Sequence, residues 1–216
     1  MNPIQFGRER FSKIFWDMVD EKVYDLPWQD IEDMIANRQE YRRNAEYNTG
    51  SLGASDAAEL YRLVKFFKPA TIAEVGTFIG VSTMAMRMAD RTVCIDTCDM
   101  SNNIPNLFEH TNGMVTYFPK TSSTEMFKQL AGEDDPGVDM LYIDGRLQQE
   151  DFQYFPKIIH DRTIFVFDDF EGIEKGVVNA MMLESPNRVL IYPREGKKTA
   201  VSLPYTMLQF VPQEMT

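Results

Sequence analysis

E-V-G-T-F-I-G-V-S-T, running from Glu74 to Thr83, is the stretch whose reading decides the fold. A short apolar segment, Thr71-Ile72-Ala73, precedes it and is bounded upstream by Lys68-Pro69. Met84-Ala85-Met86-Arg87-Met88-Ala89 follows, a run of strong helix formers. Strand, glycine turn and helix in that order open a ligand crevice at the carboxyl end of the first strand of an open α/β sheet. Gly76 and Gly80 lack a Cβ, so the chain can turn sharply there and a ligand can come close to the backbone. Their spacing is G-x-x-x-G, and the G-x-G-x-x-G that cradles a dinucleotide pyrophosphate is absent.

Outward from this turn the pattern alternates. Strands are predicted at 71–76, 92–97, 114–118, 138–144, 163–169, 188–193 and 201–212, with helices at about 82–89, 103–110, 122–131, 148–160 and 172–184. Five βα units imply a parallel sheet covered on both faces. Only Glu195-Gly196-Lys197-Lys198 joins the last two strands, too short for a parallel return, so they form an antiparallel hairpin. Pro204 and Pro212 suit a bulged or exposed edge. Upstream, Phe11, Ile14, Phe15, Met18 and Val19 recur at helical spacing, Asp25-Leu26-Pro27 breaks that helix, and a second covers Gln29 to about Tyr41. A loop at 48–53 leads to a third helix from about Ser55, its expected N-cap, to Phe67. The expected organisation is an N-terminal helical cap or lid over 1–54 and an α/β domain over 55–216.

With 216 residues the chain can bury a sizeable core, and its 44% hydrophobic and 25% charged residues are globular in balance. Thirty-three acids against 22 basic residues give a net charge of −11, which disfavours nucleic acid and anionic membrane surfaces as partners. No apolar run approaches membrane-spanning length, and the first residues lack a signal-peptide core, so a cytoplasmic protein is expected. Cys94 and Cys98, without nearby histidines, read as reduced thiols.

Acids stand where the crevice is expected. Asp96 is read as closing the second strand, where a carboxylate can accept from both ribose hydroxyls of a nucleoside; capping the next turn is the alternative, and Asp99 takes the role if the register slips. Asp144 ends the fourth strand, and Asp168 and Asp169 end the fifth. Three carboxylates converging there would repel one another, and Mg²⁺ would resolve that; helix capping, by Asp169 above all, is the competing role. Ser122 and Ser123 follow the third strand and can bond a nucleobase edge, cap the next helix, or both. His110 and His160 fall in or beside helices away from the strand ends, and Lys157 and Lys175 read as solvated helix residues, Lys175 starting near the crevice.

These residues make the chain resemble the class I S-adenosylmethionine-dependent methyltransferases, and within them the catechol O-methyltransferase-like and macrocin-type small-molecule enzymes, over about residues 45 to 213. The resemblance implies a doubly wound Rossmann-like sheet of seven mostly parallel strands with a C-terminal antiparallel hairpin. It places the first-strand motif on Glu74, Gly76, Phe78, Gly80 and Ser82, with Thr77 between them. It places the ribose acid on Asp96, followed by Thr97, the adenine-side serine on Ser122 beside Ser123, and the cofactor-covering loop on Asn48-Thr49-Gly50. Asp144, Asp168 and Asp169 are its implied Mg²⁺ ligands, Asp144 also touching cofactor and positioning substrate. The implied function is metal-assisted O-methylation of a small molecule by a homodimer, with S-adenosylmethionine as cofactor.

Two positions depart from the family. Leu147 stands where catechol-type enzymes carry a lysine, and Arg146 where macrocin-type enzymes carry an acid, so the general base is not identified. Arg146 can instead clamp a carboxylate or phosphate on a substrate. A non-catalytic S-adenosylmethionine-binding protein and a hydroxylase-like relative on the same fold are the alternative readings.

Overall fold

Alternate side chains of each strand leave the sheet on opposite sides, and in this chain both sides are apolar. Ile72, Ile95, Met140, Tyr142, Ile164 and Val166 face one core; Ala73, Val75, Leu141, Ile143, Phe165 and Phe167 face the other. The computed structural model describes residues 3–47, 50–134 and 137–210. Among these the strands β1 (Thr71–Val75), β2 (Cys94–Asp99), β3 (Val115–Pro119), β4 (Val138–Ile143), β5 (Ile159–Phe167), β6 (Arg188–Ile191) and β7 (Ala200–Pro204) form one sheet in the order β3-β2-β1-β4-β5-β7-β6. The first five pair in parallel, while β7 lies antiparallel between β5 and β6. The order reverses beside β1, so β1 and β4 flank the crevice where ligands bind in such sheets.

Helices α1 (Pro3–Lys22), α2 (Trp28–Arg38) and α3 (Ala54–Phe67), with α4 (Val81–Ala89), cover the first face. Helices α5 (Ser123–Leu130), α6 (Phe155–Ile158) and α7 (Lys175–Met182) cover the second. Phe15, Trp16 and Val19 of α1 and Ile31 of α2 share one core with the sheet, and Trp16 Nε1 donates to the Tyr192 carbonyl at 2.8 Å. No helix among the described residues is long and apolar enough to cross a membrane. Cys94 and Cys98 are free thiols, both within β2.

Four expected elements differ. The strand expected over 201–212 ends at Pro204 and gives way to a 3₁₀ turn at Tyr205–Phe210; β7 lies inside the sheet, so Pro204 closes an inner strand and not an edge, and Pro212 lies outside the described residues. The helix at 103–110 is absent: Pro105 disfavours helical backbone at Ile104, Asn106 has φ +58°, and only a 3₁₀ turn at Glu109–Thr111 forms. The helix at 148–160 shrinks to a 3₁₀ turn at Gln149–Gln153 and the four-residue α6, because the chain enters β5 already at Ile159. The third helix takes Gly53 as N-cap, and Ser55 lies inside the helix, where its hydroxyl accepts from Lys197 Nζ.

Candidate active site

A cavity of about 600 Å³ opens at the carboxyl ends of β1, β2, β4 and β5, within the size range of small-ligand sites. Gly76 and Phe78 of the opening turn lie on its wall. Gly76 has φ +104°, and a Cβ there would stand 3.0 Å from the carbonyl carbon of Asp144 and the nitrogen of Gly145. The missing side chain thus lets the ends of β1 and β4 close against each other, in addition to any ligand it admits.

Glu74, Thr77, Gly80, Ser82 and Thr97, expected to touch cofactor, do not line the cavity. They build the turn from beneath. Glu74 is fully buried, accepts from the Ser82 hydroxyl and from Thr83 Oγ1 at 2.5 Å, and so pins the first turn of α4 to β1. Burial pushes its carboxyl up to about 7, against hydrogen bonds that pull it down. Thr77, in the turn after β1, and Thr97 of β2 share a hydroxyl–hydroxyl bond of 2.6 Å. A Cβ on Gly80 would strike Arg38 and Phe108, whose side chains fill the space behind the turn. Arg38 itself donates to the Ile79 and Leu107 carbonyls from a buried position.

The expected end of the second strand also moves. Asp96 lies mid-strand, opposite Ala73 and Thr116, and is absent from the cavity wall. β2 runs on to Asp99, which lines the cavity beside Gly76. The residues Val93 to Asp99 are compatible with strand throughout, so composition did not mark the end; pairing with β1 and β3 sets it. Asp99 is held firmly. Oδ1 accepts from Ser101 N and Asn102 N, each at 2.9 Å, and Oδ2 accepts from Phe78 N at 2.8 Å and the Tyr47 hydroxyl at 2.7 Å. Tyr47 stacks near Phe78, ring centroids 5.2 Å apart, and burial together with Asp99 drives its hydroxyl well above the usual range.

At the far end Asp144, Asp168 and Asp169 do converge on the cavity. A lysine stands among them. Lys175 Nζ donates to the Asp144 carbonyl and to Asp144 Oδ1 at 2.5 Å, and lies 3.2 Å from Asp169 Oδ2. Burial and the neighbouring carboxylates Asp144 and Asp169 push the Asp168 carboxyl up to about 8. Burial also raises Asp144, partly offset by Lys175, while the acids hold the Lys175 ammonium above its ordinary value in spite of burial. Asp169 is not a helix cap: α7 begins at Lys175 after Glu174, and Asp169 adopts φ +49° with its carboxylate toward the lysine. Lys175 was legible only as a helix residue near the crevice. The signal was its place seven residues beyond Asp168, followed at once by Gly176.

Ser122 caps α5 in a reciprocal capping box with Glu125 and also lines the cavity; Ser123 lines it too, its hydroxyl bonded to Asp151 at 2.7 Å. Asn48 and Thr49 lie outside the described residues, while Gly50 is on the cavity wall. Arg146 stands exposed at the rim, whereas Leu147 is buried in the second core. His110 sits beside Glu109 and His160 beside Asp139, neither on the cavity wall.

No family model matches the chain, and no curated protein does. Solved structures do. The chain is similar to the O-methyltransferase TomG of Streptomyces achromogenes, solved with SAM: TM-score 0.59, 14% identity, 79% of this chain and 89% of that one covered. An O-methyltransferase from Bacillus cereus, solved with SAH, gives a TM-score of 0.59 at 14% identity, covering 86% and 94%. The SAH-bound Podospora anserina methyltransferase PaMTH1 gives 0.58 at 11% identity, covering 91% and 96%. The chain has the class I methyltransferase fold.

Proposed function

We propose that this chain is an S-adenosylmethionine-dependent methyltransferase acting on an oxygen of a small molecule. The observation that carries the reading is that Gly76, just past the end of β1, and Asp99, the last residue of the adjacent β2, lie on the wall of one cavity, with no pyrophosphate-type glycine loop beside them. The SAM- and SAH-bound neighbours of the same fold support the choice of cofactor.

In this reading Asp99 accepts hydrogen bonds from the ribose, a ribose hydroxyl replacing Tyr47 as donor to Oδ2. Ser122 and Ser123 face the nucleobase, and Asp144 stands between the cofactor and acceptor ends. The bound cofactor supplies a methyl carbon made electrophilic by its sulfonium. What remains for the protein is to align the acceptor and exclude water. Arg146 at the rim offers a planar donor pair to a carboxylate or phosphate on the acceptor.

Mg²⁺ is the expected second cofactor at Asp144, Asp168 and Asp169, but these residues as placed do not fit it. Lys175 already donates to the carbonyl and Oδ1 of Asp144 and faces Asp169 Oδ2. Among the described residues no group of three acidic, histidine or cysteine side chains is arranged to hold a metal. The reading therefore assigns no step to a divalent ion.

Calorimetric titration tests the proposal. S-adenosylhomocysteine should saturate a single site, and NAD should not bind. Binding of NAD without binding of S-adenosylhomocysteine would overturn it.

A further inference from the structure

Lys175 stands among the three acids at the acceptor end of the cavity, and the fold holds it there; Lys198, on the same wall, pairs with Glu171 at 2.7 Å. Lys175 is the first residue of α7, where the partial positive charge of the helix terminus opposes an ammonium. All three ammonium protons nevertheless have an oxygen in reach: the Asp144 carbonyl, Asp144 Oδ1 and Asp169 Oδ2. Its side chain keeps only 25% of its exposure. Gly176 makes the approach possible, since a Cβ at that position would lie 2.0 Å from the Asp168 carbonyl oxygen. One turn further along the same face, Asn179 donates to the Gly145 carbonyl at 2.8 Å and accepts from Leu147 N at 3.1 Å. That side chain ties α7 to the loop carrying Asp144. The ammonium is thus clamped from two directions.

We propose that Lys175 is the resident cation of the acceptor end, occupying the place of a divalent ion and holding Asp144 and Asp169 in position without one. The chemistry of the two cations makes them exclusive. Magnesium binds oxygens at about 2.0–2.1 Å in a nearly octahedral shell, and an ion drawing on both Asp144 and Asp169 would have to enter the space between them that the ammonium fills. It would also stand directly against the ammonium, and like charges at contact distance are strongly unfavourable where water is scarce. Lys175 acts through the two carboxylates and is a positioning residue. The inference rests on the methyltransferase reading only for which end of the cavity takes the acceptor.

The test is Mn²⁺ titration followed by electron paramagnetic resonance, run on the wild type, Asp169→Asn, Lys175→Met and the double variant Lys175→Met/Asp169→Asn. S-adenosylhomocysteine is titrated calorimetrically into the same preparations. The wild type and Asp169→Asn should bind Mn²⁺ alike, any shared binding lying elsewhere on the acidic surface. Lys175→Met should gain a site at least about tenfold tighter than any in the wild type, and the double variant should lose it. Wild-type Mn²⁺ binding that Asp169→Asn removes would overturn the proposal, as would the absence of a new site in folded Lys175→Met. If Lys175→Met does not fold, the wild type against Asp169→Asn decides. Loss of S-adenosylhomocysteine binding in the wild type would sink the methyltransferase reading and leave the ion result standing.

Discussion

Two aspartates three residues apart on β2 have different fates, because strand periodicity sends them to opposite faces. Asp96 bonds Thr116 on β3, and burial raises its carboxyl. Asp99 ends the strand, lines the cavity, and already accepts four hydrogen bonds whose donors fix its orientation. A carboxylate so pre-set costs little to present to a ribose, since exchanging the Tyr47 hydroxyl for a ribose hydroxyl keeps the bond count. Asp99→Ala should weaken S-adenosylhomocysteine binding more than about tenfold, the equivalent of one charged hydrogen bond, while Asp96→Ala should change it less than about twofold. Calorimetry on both variants checks this, and the reverse ranking would return the ribose role to Asp96.

At the scale of elements, the site depends on how closely α7 approaches the end of β5. Contact with Asp168 and Asp169 is made by the bare Cα of Gly176, and it delivers Lys175 to the acids. Gly176→Ala must push α7 away or bend the 168–169 backbone, and overpacking of this kind costs about 1–3 kcal/mol. Urea denaturation should show that loss, and an unchanged midpoint would mean that α7 is free to shift. The opening turn is built on the same principle. The Glu74 carboxylate beneath it, bonded to Ser82 and Thr83, holds β1 and α4 together while Gly76 lets β4 close in.

Across the whole molecule, buried acids set the pH response. The Glu74 carboxyl is pushed from 4.5 up to about 7 by burial, and Glu59, buried beside Arg194 and Lys197, likewise up to about 7. An acid whose folded pKa exceeds its unfolded value binds its proton more tightly when folded. Its contribution is present in full below the unfolded pKa and is lost as pH rises through the folded one. The net charge of −11 adds repulsion in the same direction. The chain should therefore lose stability from about pH 5 to about pH 8, and Glu74→Gln should flatten the slope. Urea midpoints across that range are the check; a midpoint that rises toward pH 8 would mean Glu74 ionises normally.

Much of the architecture was legible in local pattern. The strand–glycine–helix run at 71–89, the later apolar segments and the short link between the last strands are all short-range features, and their physics is short-range too: periodicity, turn geometry and loop length. Local pattern failed where neighbours decide. Ile159 to Arg162 join β5, since pairing with β4 begins at Val138 and outweighs the helical spacing of that segment. The end of β2 depends on ladders to β1 and β3, which carried the cavity acid from Asp96 to Asp99. The sequence by itself therefore determined the fold class and brought Gly76, Asp144, Asp168 and Asp169 to one end of the sheet, because chain order and hydrophobic period set which strand ends meet. Only the tertiary structure decided that Glu74, Ser82 and Thr97 stand behind the cavity wall and that a lysine from α7 stands among the acids. Those outcomes depend on how closely segments as much as 31 residues apart approach, Asp144 and Lys175 above all, and distance in space is not written in local spacing.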